Sequence, residues 1–353
     1  MTDRMTNNDN TLLLPSLPDD ELPKMPLLPM TSAETLEACR DLVVDRHFDI
    51  FVCSCIKSGT TWMQNLVVRI LASHVGMTMD EDWHLSHSAP FYESGQYWCH
   101  DLTTNKLERV PEKTPIRKQG STTTETTMYY RVFNTHLRPA QLPVGSKCIY
   151  VVRDPLDVLT SYYHFLSNMS EKDGGYSGSP TEFGKDFLHG KLPYGKWQDH
   201  IEAWLGQPNV KKRLSSPILV VHYEDMKNDL RREAHRIAQF LLSDKDDDGE
   251  DNDNGRVIVT DELLSHCKFE AMKQERWRYS PLTVSWKVDA KTGQQYNEFV
   301  RTGRVGDGKE FVRKHFTDEM RDCWSKDVAL AKKRWCTAGI DQDIVQKYLN
   351  EYE

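Results

Sequence analysis

Short apolar runs alternate with segments of helical periodicity through most of the chain. Four runs have the length and β-branched composition of buried strands: 48–55, 130–133, 147–152 and 217–222. Four segments repeat their apolar residues at helical spacing: 60–74, 155–166, 194–205 and 229–242. Strands that alternate with helices form mostly parallel sheets, so we predict a single α/β domain with one central sheet and helices on both faces.

Two segments break this alternation. Residues 1–32 are polar and then rich in Leu and Pro, and we interpret them as a flexible or loosely docked tail before a domain over 33–353. Residues 243–255 are acidic and of low complexity, and we interpret them as a solvated loop insertion. Their Asp spacing is similar to the start of a calcium-binding EF-hand, but Gly255 stands where that loop needs its last Glu. We therefore predict no metal site there.

Charge, hydropathy and cysteine spacing exclude several classes of protein. The formal net charge of −8 at pH 7 disfavours a general nucleic-acid-binding protein. No apolar stretch approaches the roughly 18 residues of a membrane span, and the N-terminus lacks the features of a secretory signal. The eight cysteines are scattered, and Cys53 and Cys55 have no second pair to complete a zinc site. We expect a cytoplasmic protein that binds neither nucleic acid nor membrane.

The junction between the first predicted strand and the helix at 60–74 carries the strongest chemical signal. It reads Ile-Phe-Val-Cys-Ser-Cys-Ile-Lys-Ser-Gly-Thr-Thr-Trp over 50–62. The first N–H groups of a helix and its dipole favour an anion, and Lys57 adds a full positive charge. Ser58, Thr60 and Thr61 add hydroxyl donors, and Trp62 offers an apolar face to a base. A helix cap alone needs only one such residue, so we predict a site for a phosphorylated ligand, most simply a nucleotide.

Six segments, in the same order along the chain, resemble the cytosolic sulfotransferases. They are Lys57–Trp62, Asn134–Leu137, Tyr150–Phe165, His222–Met226, Phe269–Met272 and Phe299–Gly303. The resemblance implies that family's fold with its P-loop-like nucleotide site. It implies 3′-phosphoadenosine-5′-phosphosulfate (PAPS) as sulfuryl donor and adenosine 3′,5′-bisphosphate (PAP) as product. The implied acceptor is the hydroxyl, or alternatively the amine, of a small molecule such as a phenol, an alcohol or a sterol.

The resemblance also implies catalytic roles for three residues, in an in-line displacement that needs no metal. Lys57 stabilises the charge that grows on the leaving oxygen, where a cation binds the transition state better than the ground state. His136 is the general base, because a neutral imidazole can take the proton of the acceptor. Ser161 binds the 3′-phosphate and restrains Lys57.

The same matches imply the binding residues. The donor is expected to contact Lys57, Ser58, Gly59, Thr60, Thr61, Trp62, Arg153, Ser161, Tyr223, Cys267, Phe269, Arg301, Thr302 and Gly303. The acceptor is expected to contact Phe91, Tyr92, Asn134 and His136. An Arg suits bidentate phosphate binding, and aromatic rings suit stacking on adenine. Taken alone, however, Arg153 is better explained as a surface cation paired with Asp154 or Asp157.

Several positions depart from the family pattern. Asn134 and Thr302 stand where the family has Lys, Ile56 stands where it has Pro, and Cys267 stands where it has a hydroxyl residue. The family's dimer motif is poorly matched over 313–322, so we expect a monomer or a weak homodimer. The two missing lysines leave open a second hypothesis, a PAPS- or PAP-binding protein without turnover. A third hypothesis, a P-loop kinase of small molecules, is disfavoured because Lys57 precedes the only glycine of the junction.

Overall fold

The computed structural model describes residues 26–101, 103, 106–117, 129–206, 214, 218–242, 259–289, 291–293, 295 and 299–349. Residues 1–25 of the predicted tail and the whole acidic stretch 243–255 lie outside the described residues. No helix within these ranges is both long and apolar enough to cross a membrane.

A five-stranded sheet forms the centre of the described fold. Its strands are β1 (Asp49–Ser54), β4 (Ile116–Arg117), β5 (Tyr129–Thr135), β6 (Lys147–Val152) and β7 (Ile218–His222), in the spatial order β4-β5-β1-β6-β7. Strands β5, β1, β6 and β7 run parallel to one another, and β4 pairs antiparallel with β5 at the edge of the sheet. β2 (Trp98–His100) and β3 (Leu107–Arg109) form a separate antiparallel pair. The four predicted strands coincide with the four parallel ones.

Helices connect and cover these strands. They are α1 (Ala33–Asp41), α2 (Thr60–His74), α3 (Leu85–Ser88), α4 (Pro155–Asn168), α5 (Pro180–Leu188), α6 (Trp197–Leu205), α7 (Tyr223–Asn228), α8 (Leu230–Leu242), α9 (Asp261–Cys267), α10 (Phe269–Gln274), α11 (Asp307–His315), α12 (Asp318–Thr337) and α13 (Gln342–Leu349). The predicted helix at 60–74 is α2, and the other three predicted helices correspond to α4, α6 and α8. Asp154 caps α4 by accepting hydrogen bonds from the N–H groups of Leu156 and Asp157.

Alternate residues of β1 enter two different cores. Phe51 and Cys53 lie in one apolar cluster with residues of α4, α5, α6, α12 and α13. Ile50 and Val52 lie in a second cluster with residues of α2, α8 and α9. Because successive side chains of a strand lie on opposite faces, the two clusters cover the two sides of the sheet. The predicted α/β fold with helices on both faces is confirmed.

The residues just before α1 dock on this domain. Leu28 is only 4% exposed and belongs to the first cluster. The carbonyl of Pro26 accepts a hydrogen bond of 2.7 Å from the N–H of Tyr194. Ser32 caps α1 by accepting from the N–H of Thr35. The predicted boundary at Ala33 coincides with the start of α1, but residues 26–32 are already packed against the body of the fold.

Candidate active site

One cavity opens where the carboxyl ends of the parallel strands meet. This is the edge at which open α/β sheets place their ligands. Fifteen of the predicted site residues line this cavity: Lys57, Gly59, Thr60, Thr61, Trp62, Phe91, Asn134, His136, Arg153, Ser161, Tyr223, Phe269, Arg301, Thr302 and Gly303. Lys57 follows β1 and Arg153 follows β6, so the two predicted cationic sites share one cleft.

The turn between β1 and α2 has a backbone that few residues tolerate. Lys57 and Gly59 both have positive φ, of 66° and 102°. A Cβ on Gly59 would lie 2.6 Å from Cδ2 of Tyr223, which is closer than two carbon atoms can approach without rearrangement. Only glycine therefore allows this ring to pack against the turn. The Oγ of Ser58 is buried and has no hydrogen-bond partner among the described residues.

Lys57 extends between two aromatic rings at the cavity. Its Nζ lies 4.1 Å from the ring centroid of Phe299 and 4.3 Å from that of Phe165. Such contacts favour the charged ammonium, but burial opposes it, and Arg153 and Arg301 add repulsion. The balance lowers the pKa of Lys57 to about 7. An anion bound here would raise that pKa again, so the residue is electrostatically suited to a phosphate or sulfate group.

Arg153 is a buried organiser of the neighbouring loops rather than a surface cation. It is 7% exposed and its guanidinium lies 4.2 Å from the ring centroid of Tyr223. Its two terminal nitrogens donate to the carbonyls of Lys57 and Arg304, at 3.2 and 3.1 Å. Its Nε is buried without a hydrogen-bond partner among the described residues. Arg153 therefore holds the carbonyls of two loops through its terminal nitrogens and pairs with Asp157 at 3.9 Å, while its Nε has no partner among the described residues.

The segment 301–308 is fastened to α4 and α10. Arg301 pairs with Asp307 at 3.0 Å, and the hydroxyl of Thr302 donates to the same carboxylate oxygen at 2.9 Å. Gly303 has a φ of 60°, and a Cβ there would lie 2.4 Å from Cδ2 of Phe269. The buried carboxylate of Asp157 accepts from the N–H groups of residues 306 and 308. These contacts hold Arg301 and Gly303 at the cavity wall.

An aromatic wall stands beside the junction. The ring of Trp62 packs edge-on against Tyr223, with centroids 5.4 Å apart, and its Nε1 donates to the carbonyl of Cys267 at 2.7 Å. Lys227 places its Nζ 5.6 Å from the ring centroid of Phe269 and 6.0 Å from that of Trp62. The three aromatic residues predicted to hold adenine therefore lie together. Lys227, which follows the matched segment 222–226 directly, is a lining cation that the sequence analysis missed.

His136 has a defined tautomer. Its Nδ1 lies 3.0 Å from the carbonyl oxygen of Ser54, and because a carbonyl can only accept, Nδ1 carries the proton. This leaves the lone pair on Nε2. Burial is the main cause that lowers the pKa of His136 to about 4; the hydrogen bond to Ser54 opposes the shift and Lys57 adds to it. The ring is therefore neutral near pH 7 and able to accept a proton.

Three predicted site residues do not line the cavity. Tyr92 is 0% exposed, because its ring packs against Phe51 and its hydroxyl donates to the carbonyl of Cys39. The thiol of Cys267 is buried, and this residue acts through its carbonyl on Trp62. Ser58 is likewise buried behind the turn. The side chains of Tyr92 and Cys267 lie behind the cavity wall, and their contacts with a ligand stay predictions.

The remaining lining was not predicted and is mostly apolar. It includes Leu28, Met30, Leu85, Tyr97, Phe165, Met272, Tyr279, Pro281, Val284 and Phe299. No Asp or Glu lines the cavity within the described ranges. Leu28 and Met30 come from the segment predicted as tail, where no periodicity signalled a structural role. The cavity thus joins a cationic, aromatic half to an apolar half.

Comparison with known proteins finds a matching family model, similar curated proteins and similar solved structures. A family model described as "Sulfotransferase domain" matches residues 47–329. Sulfotransferase 1E1 of Mus musculus is 29% identical over 300 residues, which cover 81% of this chain and 88% of that protein. Mouse sulfotransferase SULT7A1, solved in complex with PAP, has a TM-score of 0.56 at 22% identity and covers 92% of this chain and 95% of its own. The structure of retinol dehydratase in complex with androsterone and inactive cofactor PAP has a TM-score of 0.51 at 20% identity. The match covers 87% of this chain and 86% of that one.

Proposed function

Since the chain belongs to the sulfotransferase family, we propose that it transfers a sulfuryl group from PAPS to the hydroxyl of a small apolar acceptor. The observation that carries the proposal is the single cleft that contains Lys57, Arg153 and His136. A donor with phosphate at both ends of its nucleoside needs two cationic sites, and the acceptor needs a base next to one of them. The cleft supplies all three.

The donor site fits this chemistry on three structural grounds. Arg153 lines the cavity and keeps its buried Nε without a partner among the described residues, as expected where an anion is to be bound. Gly59 and Gly303 permit close approach of Tyr223 and Phe269. Trp62 and Phe269 offer ring faces on which a base stacks, worth roughly 1–3 kcal/mol per base. We assign the 5′ end of the donor to the Lys57 turn and the 3′ end to Arg153, Ser161 and Arg301.

Two side chains would carry the chemistry, while PAPS itself supplies an activated sulfuryl group. The Nε2 of His136 takes the proton of the acceptor hydroxyl as the new O–S bond forms. Lys57 donates to the bridging oxygen from which the sulfuryl group departs in line, and so stabilises the charge that develops there. Asn134 stands beside them in the cavity with an uncharged amide, which can still donate a hydrogen bond.

The apolar half of the cavity sets the class of acceptor. Leu28, Met30, Phe91 and Val284 would surround an apolar skeleton, at roughly 25 cal/mol per Å² of apolar surface removed from water. An acceptor ammonium would find no carboxylate among the described lining residues and would be repelled by Lys57. We therefore favour neutral phenols, alcohols and sterols over cationic amines. Phenols, with a pKa near ~10, release their proton more readily than alkyl alcohols.

The test is incubation of the purified protein with PAPS and a panel of phenols, alcohols, sterols and cationic amines. We expect mass spectrometry to detect sulfated products from the neutral members, and the Lys57→Ala and His136→Gln variants to lose at least about a hundredfold in kcat. Absence of product across the panel, together with absence of PAP binding, would refute the proposal. PAP binding without any product would instead support the non-catalytic binding protein.

A further inference from the structure

The peptide of His136 is held by a buried side chain on each side. Its N–H donates to Oε1 of Glu93 at 2.9 Å, and its carbonyl lies 2.9 Å from Nε2 of His200. Both partners are fully buried and neither lines the cavity. Glu93 follows Phe91, which lines the cavity, by two residues, whereas His200 comes from α6.

The hydrogen bonds fix which nitrogen of His200 carries the proton. A carbonyl only accepts, so the Nε2 of His200 must donate to His136. Burial lowers the pKa of His200 to about 3, so the ring is neutral and its Nδ1 must accept. The hydroxyl of Tyr150 lies 2.8 Å from that Nδ1 and is therefore the donor. The direction of both hydrogen bonds follows from this chain of partners alone.

Ring stacking holds the same group in place. Tyr150 lies nearly parallel to His200 and to Trp204, with interplanar angles of 12° and 16°. Trp204 is one helical turn beyond His200 and donates from its Nε1 to the carbonyl of Leu137 at 3.2 Å. Two donors on one face of α6 thus hold two consecutive carbonyls at the end of β5. A general packing role would not need hydrogen bonds aimed at the peptide of the proposed base.

We propose that His200, whose Nε2 donates to the backbone carbonyl of His136 while its Nδ1 accepts from Tyr150, is a positioning residue for His136. It holds the carbonyl of His136, and thereby the backbone from which the imidazole extends, while Nδ1 contacts the carbonyl of Ser54 and the residue lines the cavity. His200 touches no reacting atom itself. The inference rests on the proposed function, in which His136 is the base. It predicts loss of turnover without loss of donor binding when the N–H donor is removed.

The test compares two substitutions at one site. His200→Gln keeps an N–H donor near the position of Nε2, and His200→Leu removes it while keeping a similar volume. We expect His200→Leu to lower kcat between about ten- and a hundredfold, because small misplacements of a catalytic group have effects of that size. The Kd for PAP should stay within about twofold, and His200→Gln should recover most of kcat. His235→Gln, on the exposed face of α8, is the matched control and should leave kcat unchanged.

Histidine-selective ¹⁵N NMR of the wild-type protein gives a second readout that needs no folded variant of His200. We expect His200 to carry its proton on Nε2 and His136 on Nδ1. In Tyr150→Phe, the Nδ1 of His200 should lose its hydrogen-bond donor and kcat should fall severalfold. A wild-type spectrum with the His200 proton on Nδ1 would overturn the inference. So would an unchanged kcat in His200→Leu, or a loss that His200→Gln does not recover.

The failure of this inference and the failure of the proposed function give different results. If His136→Gln keeps full activity, His136 is not the base and the proposed function fails in that part. If His136→Gln is inactive while His200→Leu is fully active, the proposed function stands and only the positioning role is lost.

Discussion

Lys57 is held between Phe165 and Phe299 at the cavity, where burial, and then repulsion by Arg153 and Arg301, lowers its pKa. A cation with a pKa of about 7 is easily neutralised in the free protein. Binding of a polyanion must restore the proton, because the charged form gains the favourable interaction. The protonation of one side chain is therefore coupled to donor binding.

This coupling predicts proton uptake on binding PAP at pH 8. Most Lys57 side chains are then neutral, so isothermal titration in buffers of different ionisation enthalpy should report uptake of about one proton per PAP. The uptake should fall as the pH is lowered through 7, since the ammonium is then already formed. Lys57→Met is the control. Equal uptake in this variant would assign the proton to another group.

His136 gives a second prediction, on the acid side of the rate profile. The base must be unprotonated, so activity is lost as the pH falls through the pKa of His136. Because burial lowers that pKa to about 4 from an ordinary 6.5, we expect kcat/KM for a phenol to stay nearly constant from pH 6 to 5 and to fall only near pH 4. Initial rates over pH 3.5–7 measure this. A fall of kcat/KM centred near pH 6.5 would show that a group other than His136 controls the rate.

At the level of elements, two glycines decide how closely loops approach rings. Gly59 and Gly303 both have positive φ and both lie against an aromatic side chain. Gly306 also has positive φ, 91°, but a Cβ there would meet nothing within 4 Å. The loop of Gly303 and Gly306 thus contains one glycine required by contact and conformation, and one required by conformation alone.

We expect Gly303→Ala to weaken PAP binding at least about tenfold, since Phe269 or the loop carrying Arg301 must move. It should also lower the free energy of unfolding by about 1–3 kcal/mol. Gly306→Ala is the matched control, and should cost about 1 kcal/mol of stability with nearly unchanged affinity. Calorimetric titration and urea unfolding measure the two effects. Equal affinities for the two variants would contradict the role given to the contact with Phe269.

Local patterns predicted the elements well, and long-range contacts account for what was missed. The bounds of α2 and β6 follow from periodicity within a few residues. The burial of Tyr92, the docking of 26–32 and the contact of His200 with His136 depend on partners more than 40 positions away. No window of sequence contains such pairs. The resemblance to known motifs located the cleft, and physical proximity had to come from the structure.

Over the whole molecule, a net charge of −8 surrounds a cleft lined by Lys57, Arg153, Lys227 and Arg301. Attraction for the donor is therefore local, and most of the surface field opposes it. The family assignment and the order of the Lys57 turn both disfavour ATP as ligand.

PAP should therefore stabilise the entire domain, whereas ATP with magnesium should not do so comparably. At a free concentration of 100 times its Kd, PAP is expected to add about 2.7 kcal/mol to the free energy of unfolding. Thermal melting with PAP, and with ATP and magnesium, tests this. The gain should shrink in 0.5 M salt, because screening shortens the reach of the cationic cleft. Stabilisation by ATP equal to that by PAP would favour the kinase hypothesis.

Leu28 and Met30 reach the acceptor cavity from a short segment that precedes α1 and is tied down by the backbone of Tyr194. Lys57 and Arg301 line the same cavity from other loops. Donor recognition and acceptor choice can consequently diverge by separate mutations. Laboratory evolution confined to positions 26–32 therefore offers a route to enzymes that use the same sulfuryl donor with new acceptors.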